Sequence, residues 1–220
     1  MAVIFNNLDK MSLDDIGEES DFIPLMTSED EEALEKESLP DVLPILPLTN
    51  TVLFPGVVMP INAGRDKSIK LINDANKTNK LIGVITQKNN KVEDHDIENI
   101  YAIGTVAKIL RVLKMPDGNT TVIIQGKKRF KVRSVVKTDP YIQATITSIS
   151  DKNQKKSNSK FSATIDAIKD ISLKIIKENP NIPSEASFAI KNINSSSFLI
   201  NFVCSNMNIS LKDKQDLLSS

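Results

Sequence analysis

The sequence predicts an α+β protein: a small β-barrel or curved antiparallel sheet with one inserted helix, followed by a C-terminal helical bundle. Three observations predict it. Short β-branched apolar runs bounded by turn residues occupy residues 41–150. A polar stretch, Asp151–Lys160, then interrupts the chain without a single apolar side chain. Beyond it, apolar residues recur at helical spacing. The expected organisation is an acidic, disordered leader (1–40), a β-rich domain (41–150), a linker (151–160) and a helical subdomain (161–220).

The β-rich part is organised around Leu43–Pro60, which holds 4 of the 10 prolines, Pro44, Pro47, Pro55 and Pro60. Proline cannot donate to a sheet ladder, so the reading is extended apolar backbone at a sheet edge. Bends are expected at Thr49–Asn50 and at Pro55–Gly56, where proline presets the first corner and glycine accepts a positive φ at the second. Asp66–Lys77 has helical spacing, with Ile69, Leu71, Ile72 and Ala75 apolar. Leu81–Thr86 reads as a buried strand and Lys88–Glu98 as a polar loop. Ala102–Leu113 reads as a strand, turned at Met115-Pro116-Asp117-Gly118-Asn119 into a returning strand, Thr120–Gln125. Gly126 is expected to interrupt it, with Lys127–Val136 as another strand and Tyr141–Ile149 as the last. A set of about six strands, mostly antiparallel, is expected to close on itself, because closure hides sheet edges.

In the helical part, Phe161, Ile165, Ile168, Ile171 and Ile175 predict a helix of about five turns, stopped by Pro180 and Pro183. Ser184 is expected to cap a second helix carrying Phe188, Ala189 and Ile193. Ser195–Met207 forms a third, and Ser210 caps a fourth, which ends at once with Leu217 and Leu218 on an incomplete face. That abrupt end suggests a trimmed or processed chain.

Charge and composition bound the function. The formal net charge is zero, yet residues 1–41 hold 13 Asp/Glu and 2 Lys/Arg, leaving a basic body. The leader reads as a solvated tail, with an intramolecular cover for a basic surface as the functional alternative. No run approaches the ~18 apolar residues that span a bilayer, so no membrane partner is expected. A start without a basic n-region and one cysteine, Cys204, point to a cytoplasmic, reducing setting. The glycines never give G-x-G or a Walker loop, and no G-x-S-x-G brackets a serine, so neither nucleotide binding nor catalysis is expected. Glu93-Asp94-His95-Asp96 with Glu98 reads as a solvated acidic loop, because zinc needs several His or Cys, so no metal site is expected. Cys204 reads as core on an apolar helix.

Two surfaces remain as candidates for binding. Phe54, Pro55, Val57 and Met115 fall on turns, where large apolar residues are costly unless they contact something. The alternative is that they cover the ends of the sheet. Lys127, Arg129, Lys131 and Arg133 would share one strand face, with Lys128, Phe130 and Val132 on the other. Acidic protein segments or nucleic acid would suit that face; with no Trp and 2 Tyr, base stacking has little to work with.

A family resemblance is carried by Leu43-Pro44-Ile45-Leu46-Pro47-Leu48, by Phe54-Pro55-Gly56 with its apolar run to Pro60, and by Gly64-Arg65-Asp66-Lys67-Ser68. It continues through Ile103-Gly104-Thr105-Val106-Ala107, Leu113–Gly118 and Gly126-Lys127-Lys128-Arg129-Phe130. In order and spacing these resemble the N-terminal domain of Lon, the ATP-dependent protease, over roughly residues 41–149, with a weaker helical likeness to the end. The resemblance implies a PUA-like barrel in which Pro44, Pro47, Pro55, Gly56, Pro60, Gly104 and Gly118 are structural. It implies a non-catalytic recognition and assembly domain for misfolded, damaged or short-lived regulatory proteins, with other subunits of a homohexamer as partners. The ATPase, which takes ATP and Mg, and the protease domain with its Ser/Lys dyad would lie beyond Ser220; no cofactor is expected in this chain. The long acidic leader and Ser195-Ser196-Ser197, where acidic residues are common, depart from the family's pattern. An RNA-binding PUA-like module and a stand-alone protein without protease are the rival readings.

Overall fold

The computed structural model describes residues 39–89, 97–114, 120–149, 159–183 and 185–220. These fall into two compact units, residues 39–149 with 209–220, and residues 159–208. The last helix thus groups with the β-rich unit, whereas the sequence reading places it in the helical part.

Six strands form the first unit: β1 (Val42–Leu48), β2 (Val58–Ala63), β3 (Leu81–Thr86), β4 (Ile103–Lys114), β5 (Thr120–Lys137) and β6 (Gln143–Ser148). Their order is β2-β5-β4-β3-β1-β6, and β6 also pairs with β5. Pairing therefore runs from β5 through β4, β3, β1 and β6 back to β5. The sheet is mixed, because β1 and β3 run parallel while the other pairs are antiparallel. A parallel pair needs a crossover, which β2 and helix α1 (Asp66–Lys77) supply; Leu71, Ile72 and Ala75 of α1 are buried. The interior is filled by Leu43, Ile45, Leu81, Ile85, Ile100, Val106, Phe130, Ile142 and Ala144.

The proline-rich β1 is not an edge strand, as the sequence reading had it; it lies between β3 and β6. The pairing explains how two prolines are tolerated there. β6 pairs with Val42–Pro44, and β3 with Ile45–Leu48. Ile45 N donates to Ile142 O on the β6 side (2.8 Å), and Leu48 O accepts from Gln87 N on the β3 side (2.8 Å). Successive backbone groups alternate in direction, so the Pro44 nitrogen faces β3 before that pairing starts. The Pro47 nitrogen faces β6 after that pairing has ended. Neither proline removes a ladder bond.

The two predicted bends are present. Asn50 has φ 62 and Gly56 has φ 78, with Val57 N donating to Phe54 O across the Pro55–Gly56 corner (3.3 Å). β5 is a single 18-residue strand, so Gly126 does not interrupt it. The irregularity lies beside it: Thr105 pairs with Arg129 but Ala107 with Gly126, which places a bulge at Lys127 and Lys128.

The second unit contains α2 (Ser159–Glu178), α3 (Glu185–Asn192) and α4 (Ser196–Asn206), with α2 packed on α3 and α4. Ile176, Ile182, Ala186, Ile190, Phe198 and Leu199 are buried. Ser195 caps α4 by accepting from Phe198 N (3.0 Å). Ser184, expected as a cap for α3, lies outside the described residues. Helix α5 (Leu211–Ser219) starts at Ser210, whose hydroxyl accepts from Asp213 N (3.1 Å) and donates to Asp213 Oδ2 (2.6 Å).

Candidate functional site

The segment between β1 and β2 is tied to the sheet by hydrogen bonds along its length. Thr86 Oγ1 donates to Thr51 O (2.9 Å) and Thr105 Oγ1 to Leu53 O (2.6 Å). Gly56 N donates to Gly126 O and Gly126 N to Val57 O, each at 2.9 Å. A Cβ at position 126 would lie 2.3 Å from Phe54 O, so the ribbon crosses β5 where the strand has no side chain. Phe54 and Val57 are consequently buried, at 1% and 2% exposure. This corrects the expectation that they form an outward contact surface: they cover the sheet, the alternative the sequence left open. Pro55 is half-buried; Met115 and Gly118 lie outside the described residues, as does the acidic loop at 93–96.

The cationic strand is sorted by its partners. Phe130 is fully buried and Val132 packs against the core, while Lys131 and Arg133 are exposed. Arg129 is half-buried and committed to α5: Nη1 donates to Leu218 O (2.8 Å) and Ser220 O (3.2 Å). It therefore satisfies carbonyls that a helix end leaves without intrahelical donors, and places a cation at the negative end of the helix dipole. This corrects its assignment as an outward binding residue. Gln215 of the same helix is buried and donates through Nε2 to Ile103 O (2.9 Å), so α5 is pinned to β4 and β5. Arg133 Nε donates to Thr147 Oγ1 on β6. Among the described residues no cluster of His, Cys, Asp or Glu could hold a metal ion.

A small hollow lined by Pro47, Lys67, Leu71, Tyr141 and Ile142 has a volume of about 20 Å³, room for roughly one water. At its rim Tyr141 donates to Asp74 Oδ2 (3.3 Å). Burial pushes the Tyr141 phenol above its usual 10.0, and the Asp74 carboxylate adds to the rise. No substrate-sized cleft forms there.

Among the described residues, exposed large apolar side chains lie on strands (Val42, Leu110 and Val136) and in the helical stretches (Ile171, Ile175, Phe188, Met207 and Leu217). Ile171 and Ile175 of α2 are 58% and 50% exposed, and Phe188 of α3 is 65% exposed. The sequence reading places all three in the apolar stripe of their helices, but Ser172, Ile176, Ala186 and Ile190 are the buried set. The signal was present in Ile175-Ile176: adjacent residues on a helix point about 100° apart, so one of two neighbouring isoleucines must leave the core. Cys204, read as core, is half-buried on α4. No described helix is long and apolar enough to cross a membrane.

Comparison with known proteins gives this geometry a family. Residues 42–220 match the model of the ATP-dependent protease La (LON) substrate-binding domain. The chain is 60% identical over 212 residues to the Lon protease of Flavobacterium johnsoniae, covering 96% of this chain and 26% of that protein. It is 49% identical over 198 residues to the Lon protease of Cytophaga hutchinsonii, covering 90% of this chain and 24% of the relative. The chain therefore spans about a quarter of the length of the curated relatives it matches. In fold it is similar to the N-terminal domain of the Mycobacterium avium complex Lon protease, with a TM-score of 0.66 at 19% identity over 81% of this chain and 90% of that one. None of these likenesses favours the RNA-binding reading. A proline-threaded mixed sheet followed by helices, matched from Val42 to Ser220, makes this chain a member of the Lon substrate-binding domain family.

Proposed function

We propose that this chain is the non-catalytic module by which a Lon-type protease captures misfolded, damaged or short-lived proteins and passes them to an ATPase ring. The observation that carries the reading is the match of residues 42–220 to a substrate-binding domain. The outward side chains Ile171, Ile175 and Phe188 supply apolar contacts for unfolded segments. Pro55 and Met115 add to these, and Lys127, Lys131 and Arg133 serve acidic stretches of the same polypeptides. Its partners are other Lon subunits in a cytoplasmic homohexamer, and its β-rich unit is a PUA-like barrel. ATP, Mg and the Ser/Lys dyad belong to the rest of the parent enzyme.

The test is binding of a fluorescent, reduced and alkylated polypeptide to the 220-residue chain. Phe188→Ser should weaken binding about fivefold, a loss of roughly 1 kcal/mol, with an unchanged melting temperature. Equal affinity for both proteins would remove the helices from the recognition surface.

A further inference from the structure

Two bulges decide what the outer face of β5 presents. Val132 pairs with Ile146 and Ser134 with Thr145, which leaves Arg133 as an extra residue. Val135 pairs with Ala144 and Lys137 with Gln143, which leaves Val136 as another. Plain alternation would put Val135 on the same face as Lys131, Arg133 and Lys137. With the bulges, Val132 and Val135 both pack against the core, while Lys131, Arg133, Ser134, Val136 and Lys137 are exposed. Thr147, Thr145 and Gln143 alternate along β6 and so share a face, and they pair with Lys131, Ser134 and Lys137. Arg133 is held to that face, because its Nε donates to Thr147 Oγ1. Ser134 Oγ and Thr145 Oγ1 share a further hydrogen bond across it (2.7 Å).

The result is a strip of cations and hydroxyls with no acid among them. β1, β5 and β6 contain no Asp or Glu. Asp139, just beyond β5, lies 3.9 Å from Lys67 Nζ. Lys131 and Lys137 pair with residues four apart on β6, so their backbones stand about 13 Å apart along the strand. In an extended peptide alternate side chains are about 7 Å apart, so three carboxylates at alternate positions span the same length. An arginine anchored through Nε offers its terminal nitrogens to a carboxylate without first being ordered.

We propose that the outer face of β5 and β6 is a docking track for extended acidic peptide segments, read by Lys131, Arg133 and Lys137. Charge complementarity argues for an anionic occupant. The exposed Val136 between the cations, and Val42 on the same side of β6, argue for a peptide, whose apolar side chains they can touch. No aromatic residue of β5 or β6 is exposed to stack on nucleic-acid bases. The track deepens the polypeptide-binding reading above and rests on it, but it is separate from Ile171, Ile175 and Phe188.

The experiment follows fluorescence anisotropy of a short labelled peptide with Glu at alternate positions, mixed with the 220-residue chain at about 50 mM salt. The Glu peptide should bind at least about tenfold tighter than its Gln counterpart, and the difference should vanish near 0.5 M salt. Arg133→Gln should weaken the Glu peptide about tenfold and Lys137→Gln about threefold. Arg133→Glu should reverse the preference towards a peptide with Lys at the same positions. Lys137→Gln, at the exposed end of the strand, carries the test if the Arg133 variants fold poorly. Equal affinity for the Glu and Gln peptides, or parent affinity in both Gln variants, would overturn the track. Tighter binding of an oligothymidylate than of the Glu peptide would overturn it in favour of nucleic acid. Retained, Phe188-dependent binding of the reduced and alkylated polypeptide in either case would leave the polypeptide-binding reading standing without the track.

Discussion

Arg129 shows how one side chain can look like a binding group and serve as a structural one. Its guanidinium reaches two carbonyls at the end of α5, about 90 residues further along the chain. Replacing it with Met keeps the aliphatic stem and leaves those carbonyls without their donor. Urea denaturation should show Arg129→Met less stable by about 1–2 kcal/mol, the usual range for a charged hydrogen bond at a partly exposed helix end. Arg129→Lys should recover much of this, because both bonds leave the single atom Nη1 and an ammonium also carries enough N–H groups for two acceptors. If both variants unfold at the parent's urea concentration, the contact contributes nothing. Gly126 offers a second test of local geometry. Its missing side chain is the space through which the Phe54 carbonyl passes, 2.3 Å from where a Cβ would stand. Gly126→Ala must push the ribbon off β5 and break the two hydrogen bonds around Gly56 and Val57. A loss of about 3 kcal/mol is expected by denaturation, and a midpoint within experimental scatter of the parent would show that the ribbon is not held there.

Among the elements, the two units differ in how much the sequence revealed. The turn at Pro55–Gly56, helix α1 at Asp66–Lys77 and the cap Ser210 were legible because each depends on a few neighbouring residues. The place of β1 was not. Whether a proline breaks a ladder depends on which neighbour pairs on which side at that residue, and the half-and-half sharing of β1 between β6 and β3 is set by distant chain. The bulge at Lys127–Lys128 was hidden for the same reason, and Ile175-Ile176 signalled only that one of the pair turns outward, not which one. Composition says that a residue is apolar, but burial depends on what packs above it. The candidate site fared accordingly: Phe54 and Val57 proved to be core, and Arg129 of the cationic strand proved to be tied to the end of α5. The link between α1 and the entry to β6 can be tested by pH. Tyr141 holds its proton more tightly folded than unfolded, because burial and then the Asp74 carboxylate raise its pKa above 10.0. The unfolded chain therefore loses that proton first as pH rises, and stability must fall from about pH 10 upward. Below that pH the tyrosine is protonated in both states and contributes no slope. Tyr141→Phe should flatten this part of the melting-temperature profile relative to the parent, and parallel profiles between pH 9 and 11 would refute the assignment.

For the whole molecule, the proposed capture of unfolded chains has to work through outward apolar side chains such as Ile171, Ile175 and Phe188. The hollow beside Tyr141 holds roughly one water, and among the described residues the large outward apolar side chains are spread over strands and helices. Binding by one copy should accordingly be weak, since a small patch must offset the ordering of a flexible ligand. Multiplicity changes this: several copies on one ring let a long unfolded chain touch more than one patch, and each later contact is made at an effective concentration set by the intervening ligand. The expectation is quantitative. The isolated 220-residue chain should hold a reduced, alkylated polypeptide only weakly, whereas six copies displayed on a hexameric carrier should bind it at least about a hundredfold tighter. A short peptide that reaches only one patch should gain nothing from the carrier, and Phe188→Ser in all copies should reduce the gain for the long ligand more than additively. Equal enhancement for short and long ligands would mean that assembly alters the binding surface itself, and equal affinity with and without the carrier would mean that one copy makes every contact that matters.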